Sequence, residues 1–407
     1  MITMKDIKII DMPMGEGKTT GLINYMNNHP DNKYLFITPF LDEVERIQKG
    51  CKNLEFKTPD DKYSKLSDLK KLIDSGENIA STHALFSIID KETRNLIREN
   101  GYILVLDEVL EVVSSLEISR SDLDILKETI ISVAEDGLTS VVNKSYEGNK
   151  FKREVNSIKN KSVYLVDDTF LLCLFNPEVF EYFDDVIVLT YLFDGSIMKS
   201  YFDLYHLDYN YYQIIDNDIV SGKFDDSEFR KEVKKLVNVY HGKLNDIGEN
   251  ETALCSNWYS DRKKRSAHIK LKNNMYNYLK NIVKSNSKEA MWTTFIGDND
   301  KFKDFFTPKS YKTNCFVSCN MRATNKFAHK VNLVYSVNVF LNPFVIKYFN
   351  RNKIKLNENN YALSQLLQWI WRSRIRNGEE INIYIPSRRM RELFFRYLDN
   401  KEINWYR

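Results

Sequence analysis

Gly15, Gly17, Lys18 and Thr19 fall in one short run, Met12-Pro13-Met14-Gly15-Glu16-Gly17-Lys18-Thr19-Thr20. Glycines let successive backbone N–H groups converge on an anion, and a following helix N-terminus adds partial positive charge. Lysine and threonine at the end of such a turn suit a triphosphate. Lys18 reaches the β- and γ-phosphates, Thr19 ligates Mg²⁺, and Met14, Glu16 and Thr20 complete the wrap. The strict phosphate-loop pattern has glycine where Met12 stands. The second candidate is Asp107-Glu108, which ends the apolar run Val105-Leu106. At a strand tip one carboxylate holds Mg²⁺ and the next orients and deprotonates water, so Asp107 takes the first role and Glu108 the second.

Such residues need strands that end side by side. The first half alternates short apolar runs with amphipathic segments, the mark of a parallel α/β sheet. Strands are predicted at Ile7–Ile10, Tyr34–Ile37, Asn78–Ser81, Tyr102–Leu106, Val163–Val166 and Val186–Leu189. Gly15, Thr38, Thr82, Asp107 and Thr190 then all lie just past strand ends, where the chemistry of such sheets sits. Residues 113–160 break the alternation and read as a helical insertion. Alternation resumes with Ala253–Ser256, a basic helix over Arg262–Val283, Ala290–Phe295, Asn314–Ser318, Leu333–Ser336, a long helix over Tyr361–Asn377 and Ile381–Ile385. The expectation is an α/β fold of two lobes. Residues 1–205 form the nucleotide lobe; residues 206–407 form a linker and a second lobe.

Bulk properties narrow the class. At 407 residues two domains are expected, and 43% hydrophobic residues suffice for packed cores. A net charge of +3 requires no polyanionic partner, so any basic surface is local. Arg262-Lys263-Lys264-Arg265 and Arg388, Arg389, Arg391 and Arg396 fit a phosphate backbone and a solvated helix face equally well. Five scattered cysteines read as reduced thiols of a cytosolic protein. No signal-peptide core and no membrane-length apolar run are present, so a cytoplasmic protein that does not engage membrane is expected.

In order along the chain, Met12–Thr19, Asp107-Glu108 and Gln368-Trp369-Ile370-Trp371-Arg372-Ser373-Arg374-Ile375-Arg376 resemble motifs I, II and VI of the superfamily 2 helicases of the DEAD/DEAH-box type. Thr38-Pro39 with Glu43 resembles motif Ia, Thr82-His83 motif Ib, and Cys319-Asn320-x-Arg322-Ala323-Thr324 motif V. Asn257-Trp258-Tyr259 is similar to second-lobe elements of helicase-like proteins encoded by bacteriophages of Gram-positive bacteria. The departures are Trp371 in place of motif VI glycine and Val109-Leu110 after the Asp-Glu pair. The resemblance implies two RecA-like lobes closing on ATP and Mg²⁺. Gln368 contacts the nucleotide, and Arg372 and Arg376, on one helical face, act as fingers on the γ-phosphate. Thr38, Thr82, His83, Asn257, Arg322 and Thr324 touch nucleic acid, most readily single-stranded DNA. The implied activity is a nucleic-acid-dependent ATPase, a helicase or translocase in phage replication or recombination, with phage replication proteins as further partners. The alternatives are a phage DNA-packaging motor and a non-catalytic nucleotide-binding loader or scaffold.

Overall fold

The computed structural model describes residues 6–401, apart from 61–63, 144, 147, 313 and 320–325. The chain divides into two compact units. The first comprises Met1–Met12, Gly17–Phe224 and Leu341–Leu356; the second comprises Pro13–Glu16, Asp225–Phe340 and Asn357–Arg407.

The strands of the first unit are β1 (Ile7–Asp11), β2 (Lys33–Thr38), β3 (Phe56–Lys57), β4 (Asn78–Thr82), β5 (Tyr102–Asp107), β6 (Val113–Leu116), β7 (Ile131–Val133), β8 (Thr139–Val141), β9 (Ser162–Val166), β10 (Phe170–Leu174), β11 (Asp185–Thr190), β12 (Tyr209–Ile215) and β13 (Asp218–Ser221). Eight of them form one sheet in the order β13-β12-β1-β11-β5-β2-β4-β3. Every neighbouring pair is parallel except β12 and β13. The strands read as continuous apolar runs because both faces are covered. With a period of two, Ile9, Leu35, Ile37, Leu104 and Leu106 pack with Leu69, Ile73 and Ile97 of the helical layer on one side. Ile10, Tyr34, Phe36, Val105 and Ile187 pack with Leu22, Met26, Val44 and Ile47 on the other. Each such side chain contributes about 1.5–3 kcal/mol by leaving water. The hairpin β12–β13 adds to β1, which carries the first unit on to Phe224, beyond the expected division at residue 205.

The insertion carries the helices Arg120–Thr129 and Lys152–Asn160, but also strands. β6, β10 and β9 make an antiparallel sheet, and β7 and β8 a hairpin. Val163–Val166, expected in the main sheet, is part of β9 here. The turn Asp167-Asp168-Thr169, with φ of 51° and 55° at its aspartates, folds the chain straight back onto β10.

The second unit holds β14 (Val237–Val239), β15 (Ala290–Thr293), β16 (Asn332–Tyr335) and β17 (Ile381–Tyr384) in an all-parallel sheet of order β14-β17-β16-β15. Trp258, Tyr259, Leu271, Met275, Trp292 and Tyr384 fill its core. Ala253–Ser256, expected as a strand, is a turn with Leu254 at φ 63° that leads into the short helix Ser256–Ser260. Asn314–Ser318 is reduced to a single bridge between Phe316 and Trp292. Among the described residues no helix is long and apolar enough to cross a membrane.

Candidate nucleotide-binding site

Register gathers the first unit's candidate residues at one edge. Asp11 lies opposite Thr190, Leu189 opposite Asp107, and Thr38 opposite Thr82, all at the carboxyl ends of their strands. The end of β11 ties two turns together: the Thr190 carbonyl accepts from the Met12 N–H at 3.1 Å, and the Leu189 carbonyl accepts from the Glu108 N–H at 2.9 Å. The chain entering the glycine turn from β1 and the Asp-Glu turn ending β5 are therefore both tied to the strand between them.

The helix Lys18–Asn28 begins where Gly17 takes φ 77°, a left-handed conformation that favours glycine. Gly15 has φ 94°. Gly21 serves packing: a Cβ there would meet Ile214 Cγ2 of β12 at 2.6 Å, so only hydrogen lets the helix lie this close to the sheet. Lys18 Nζ donates to the Met12 carbonyl at 2.5 Å, which holds the ammonium across the turn. Gly15, Glu16, Gly17 and Thr20 are exposed, and Met14, Lys18 and Thr19 are half-buried. Thr20 Oγ1 accepts from Arg46 Nη2 at 2.9 Å, and Arg46 pairs with Glu43 at 3.1 Å.

Thr38 is fully buried, and its hydroxyl donates to Asp107 Oδ2 at 3.2 Å. It is a positioning group for that carboxylate; burial keeps it from the surface contact expected with nucleic acid. Burial, then the neighbouring Glu108 and Glu43 carboxylates, push the Asp107 carboxyl up to about 7, against the Thr38 hydroxyl and the Lys18 ammonium. Glu108 stands at φ 78°, which turns it out of the strand direction at a cost of order 1–3 kcal/mol.

Asp11 was missed by sequence reasoning. It is buried at the end of β1, with Oδ1 accepting from the Phe193 N–H at 3.2 Å. Burial pushes its carboxyl up to about 6, opposed by the Phe193 N–H, Lys223 and Lys18. The available signal was an acid closing an apolar strand just before the glycine turn. Thr82 and His83 are half-buried where β4 passes into the short helix His83–Phe86.

In the second unit the helix Glu358–Ile370 stops before the arginines. Arg372 lies in a turn, Ser373 is extended, and Arg376 sits on the 3-10 turn Arg374–Asn377. The shared helical face expected for Arg372 and Arg376 is therefore absent, because no continuous helix runs between them. Arg372 is buried, with Nη1 donating to the Ser318 carbonyl at 3.4 Å, whereas Arg376 is exposed. Trp369 is core, its Nε1 donating to the Val317 carbonyl at 2.9 Å. Gln368 is half-buried and Asn257 exposed. Arg322 and Thr324 lie outside the described residues. Of the C-terminal basic cluster, Arg389 is buried and Arg391 pairs with Glu249 at 2.9 Å, while Arg388 and Arg396 remain exposed.

The SPbeta prophage-derived uncharacterized protein YonV of Bacillus subtilis (strain 168) is 41% identical over 419 residues, which span 98% of this chain and 100% of that protein. The chain belongs to the YonV family. The family model of the YonV C-terminal Rossmann-like domain matches residues 231–398. That stretch contains the four parallel strands of the second unit. A solved structure titled "XPD_APO" aligns with a TM-score of 0.53 at 13% identity, over 97% of this chain and 96% of its own. Another, titled "XPD_Helicase", aligns at 0.48 and 13% identity, over 98% and 95%. For this YonV-family chain the first likeness is one of fold: mixed α/β, with a large, mostly parallel sheet flanked by helices.

Proposed function

We propose that the chain is an ATP-driven nucleic-acid translocase or helicase. The observation that carries this reading is that the chain leading from β1 to Lys18 and the Asp107-Glu108 pair at the end of β5 are both hydrogen-bonded to the end of β11, the strand between them. A triphosphate wrapped by residues 14–20 takes the Lys18 ammonium onto its β- and γ-phosphates. The residues fit Mg²⁺. The Asp107 carboxylate and the Thr19 hydroxyl would hold it. The ion would supply charge neutralisation on the transferred phosphoryl group. Glu108, turned out of its strand, takes the proton of the attacking water. Arg372 and Arg376 are assigned to neutralise charge as the γ-phosphate leaves, with Arg376 the more accessible.

Support for the nucleic-acid part comes from the resemblance of Thr82-His83 and Asn257 to polymer-contacting motifs. Single-stranded DNA is the proposed track, and phage replication or recombination the proposed setting, after the prophage origin of the relative. The test is ATP hydrolysis with a panel of single- and double-stranded DNA and RNA at several salt concentrations. Stimulation by a single strand that fades steeply with salt is expected. Hydrolysis indifferent to every polymer would contradict the motor assignment.

A further inference from the structure

Leu341–Leu356 is chain of the first unit that leaves the second unit after Phe340 and re-enters it at Asn357. Its helix, Pro343–Arg351, starts on an Asn342 cap with proline at the first turn. It lies on the insertion. Phe344 stacks on Phe170 of β10, with ring centroids 4.6 Å apart and planes at 8°, and Tyr348 meets Tyr164 of β9 at 4.9 Å. Phe349 is fully buried in the first unit's core. The β9–β10 turn presents Asp167 to two cations of this helix: Lys347 pairs with it, and Arg351 Nη2 donates to Oδ1 at 2.8 Å.

The two ends of the excursion are clasped by one side chain of the second unit. Arg389 is buried and reaches both legs. Nη1 donates to Asn338 Oδ1 at 3.1 Å and to the Val339 carbonyl at 2.7 Å; Nη2 donates to Asn359 Oδ1 at 3.0 Å. Its guanidinium lies 4.3 Å from the centroid of Phe340. A planar fork bridges two strands of chain in a way a lysine ammonium cannot. Asn338 is seated further by its amide, which donates to the Glu251 and Ala253 carbonyls at 2.8 and 2.9 Å.

We propose that Leu341–Leu356 is a strut, rooted in the second unit by Arg389 and seated on the insertion, through which a change in the second unit is transmitted to the β6-β10-β9 sheet. Arg389 is then a positioning residue. The strut's seating is independent of the proposed activity, whereas its effect on motor output rests on that activity.

Hydrogen–deuterium exchange on the full chain tests the transmission. Arg389→Lys is expected to raise exchange several-fold at residues 338–340 and 357–360, and also at 343–351 and 162–174, which Arg389 does not touch. Arg391→Lys, on the same helix but bonded to Ile385, Pro386 and Glu249, serves as control and leaves 162–174 unchanged. Phe344→Leu with Asp167→Asn loosens the seat alone and is expected to raise exchange at 343–351 and 170–174 but not at 338–340. Unfolding curves confirm that each variant is folded. If Arg389→Lys alters only its own surroundings, or the seat variant leaves 343–351 protected, the strut is refuted whether or not the chain hydrolyses ATP. Where hydrolysis is present, both strut variants are expected to keep ATP turnover and lose strand displacement per ATP; undiminished displacement would refute the coupling while leaving the ATPase reading intact.

Discussion

The two parallel sheets end very differently. In the first unit the strand ends present Asp11, Thr38, Thr82, Asp107 and Thr190. In the second they present Val239, Thr293, Tyr335 and Tyr384. Ser336 Oγ donates to the Thr293 carbonyl at 2.5 Å, the Tyr259 hydroxyl donates to the Ser336 carbonyl, and the Tyr384 hydroxyl donates to the Leu244 carbonyl at 2.5 Å. Parallel topology supplies an edge in both units. Among the described residues, the strand ends of the first unit carry the carboxylates of Asp11 and Asp107, and those of the second carry none. Chemistry lives in those side chains, and the fold alone does not provide it.

Substitutions at the two edges should therefore separate activity from stability. Lys18→Ala removes the cation from the glycine turn and is expected to cut ATP turnover by about 10³-fold, measured by phosphate release, with the unfolding midpoint unchanged. Arg376→Ala, at an exposed position of the second unit, is expected to cost about 10²–10³-fold in the same assay without loss of stability. A silent Arg376 would leave the second unit without its assigned part in the reaction. Gly248→Ala probes the opposite behaviour. A Cβ there would stand 2.0 Å from the Pro386 carbonyl oxygen, so backbone must shift, at about 1–3 kcal/mol. Calorimetry should show the lowered stability, and titration with a fluorescent nucleotide should show unchanged affinity.

The smallest effect is one of pH. The Asp107 carboxyl stands at about 7 in the folded chain against an ordinary 3.8, so its favourable contribution is complete below about pH 4 and is lost as pH rises to 7. Asp107→Asn removes that loss. The ligand-free unfolding midpoint should rise by about 2–4 °C at pH 8, with the gain vanishing near pH 4.

The parallel strands of the first unit were legible because runs such as Tyr34–Ile37 and Tyr102–Leu106 are apolar throughout, as burial on both faces demands. The turns after Asp11 and at Asp107-Glu108 were legible as strand ends because each closes an apolar run, and Gly15 and Gly17 take the positive φ that glycine favours. Partners were not. Val163–Val166 announces a strand but not its sheet, and the antiparallel choice is made by the turn at Asp167 and Asp168. Ala253–Ser256 is apolar enough for a strand, yet Leu254 turns the chain. The early end of the helix at Ile370 is set by the extended Ser373. Nothing local in Pro343–Arg351 states that it belongs with the insertion; Phe170, Tyr164 and Asp167 decide that from nearly two hundred residues away.

Glu108→Gln tests the central claim most directly. The glutamine keeps the shape of the side chain but cannot take a proton from water. With radiolabelled ATP, Mg²⁺ and single-stranded DNA, the variant should bind nucleotide as the wild type does and hold it uncleaved, with turnover lowered by about 10²–10⁴-fold. Turnover equal to that of the wild type, or a failure of both proteins to bind ATP, would contradict the account.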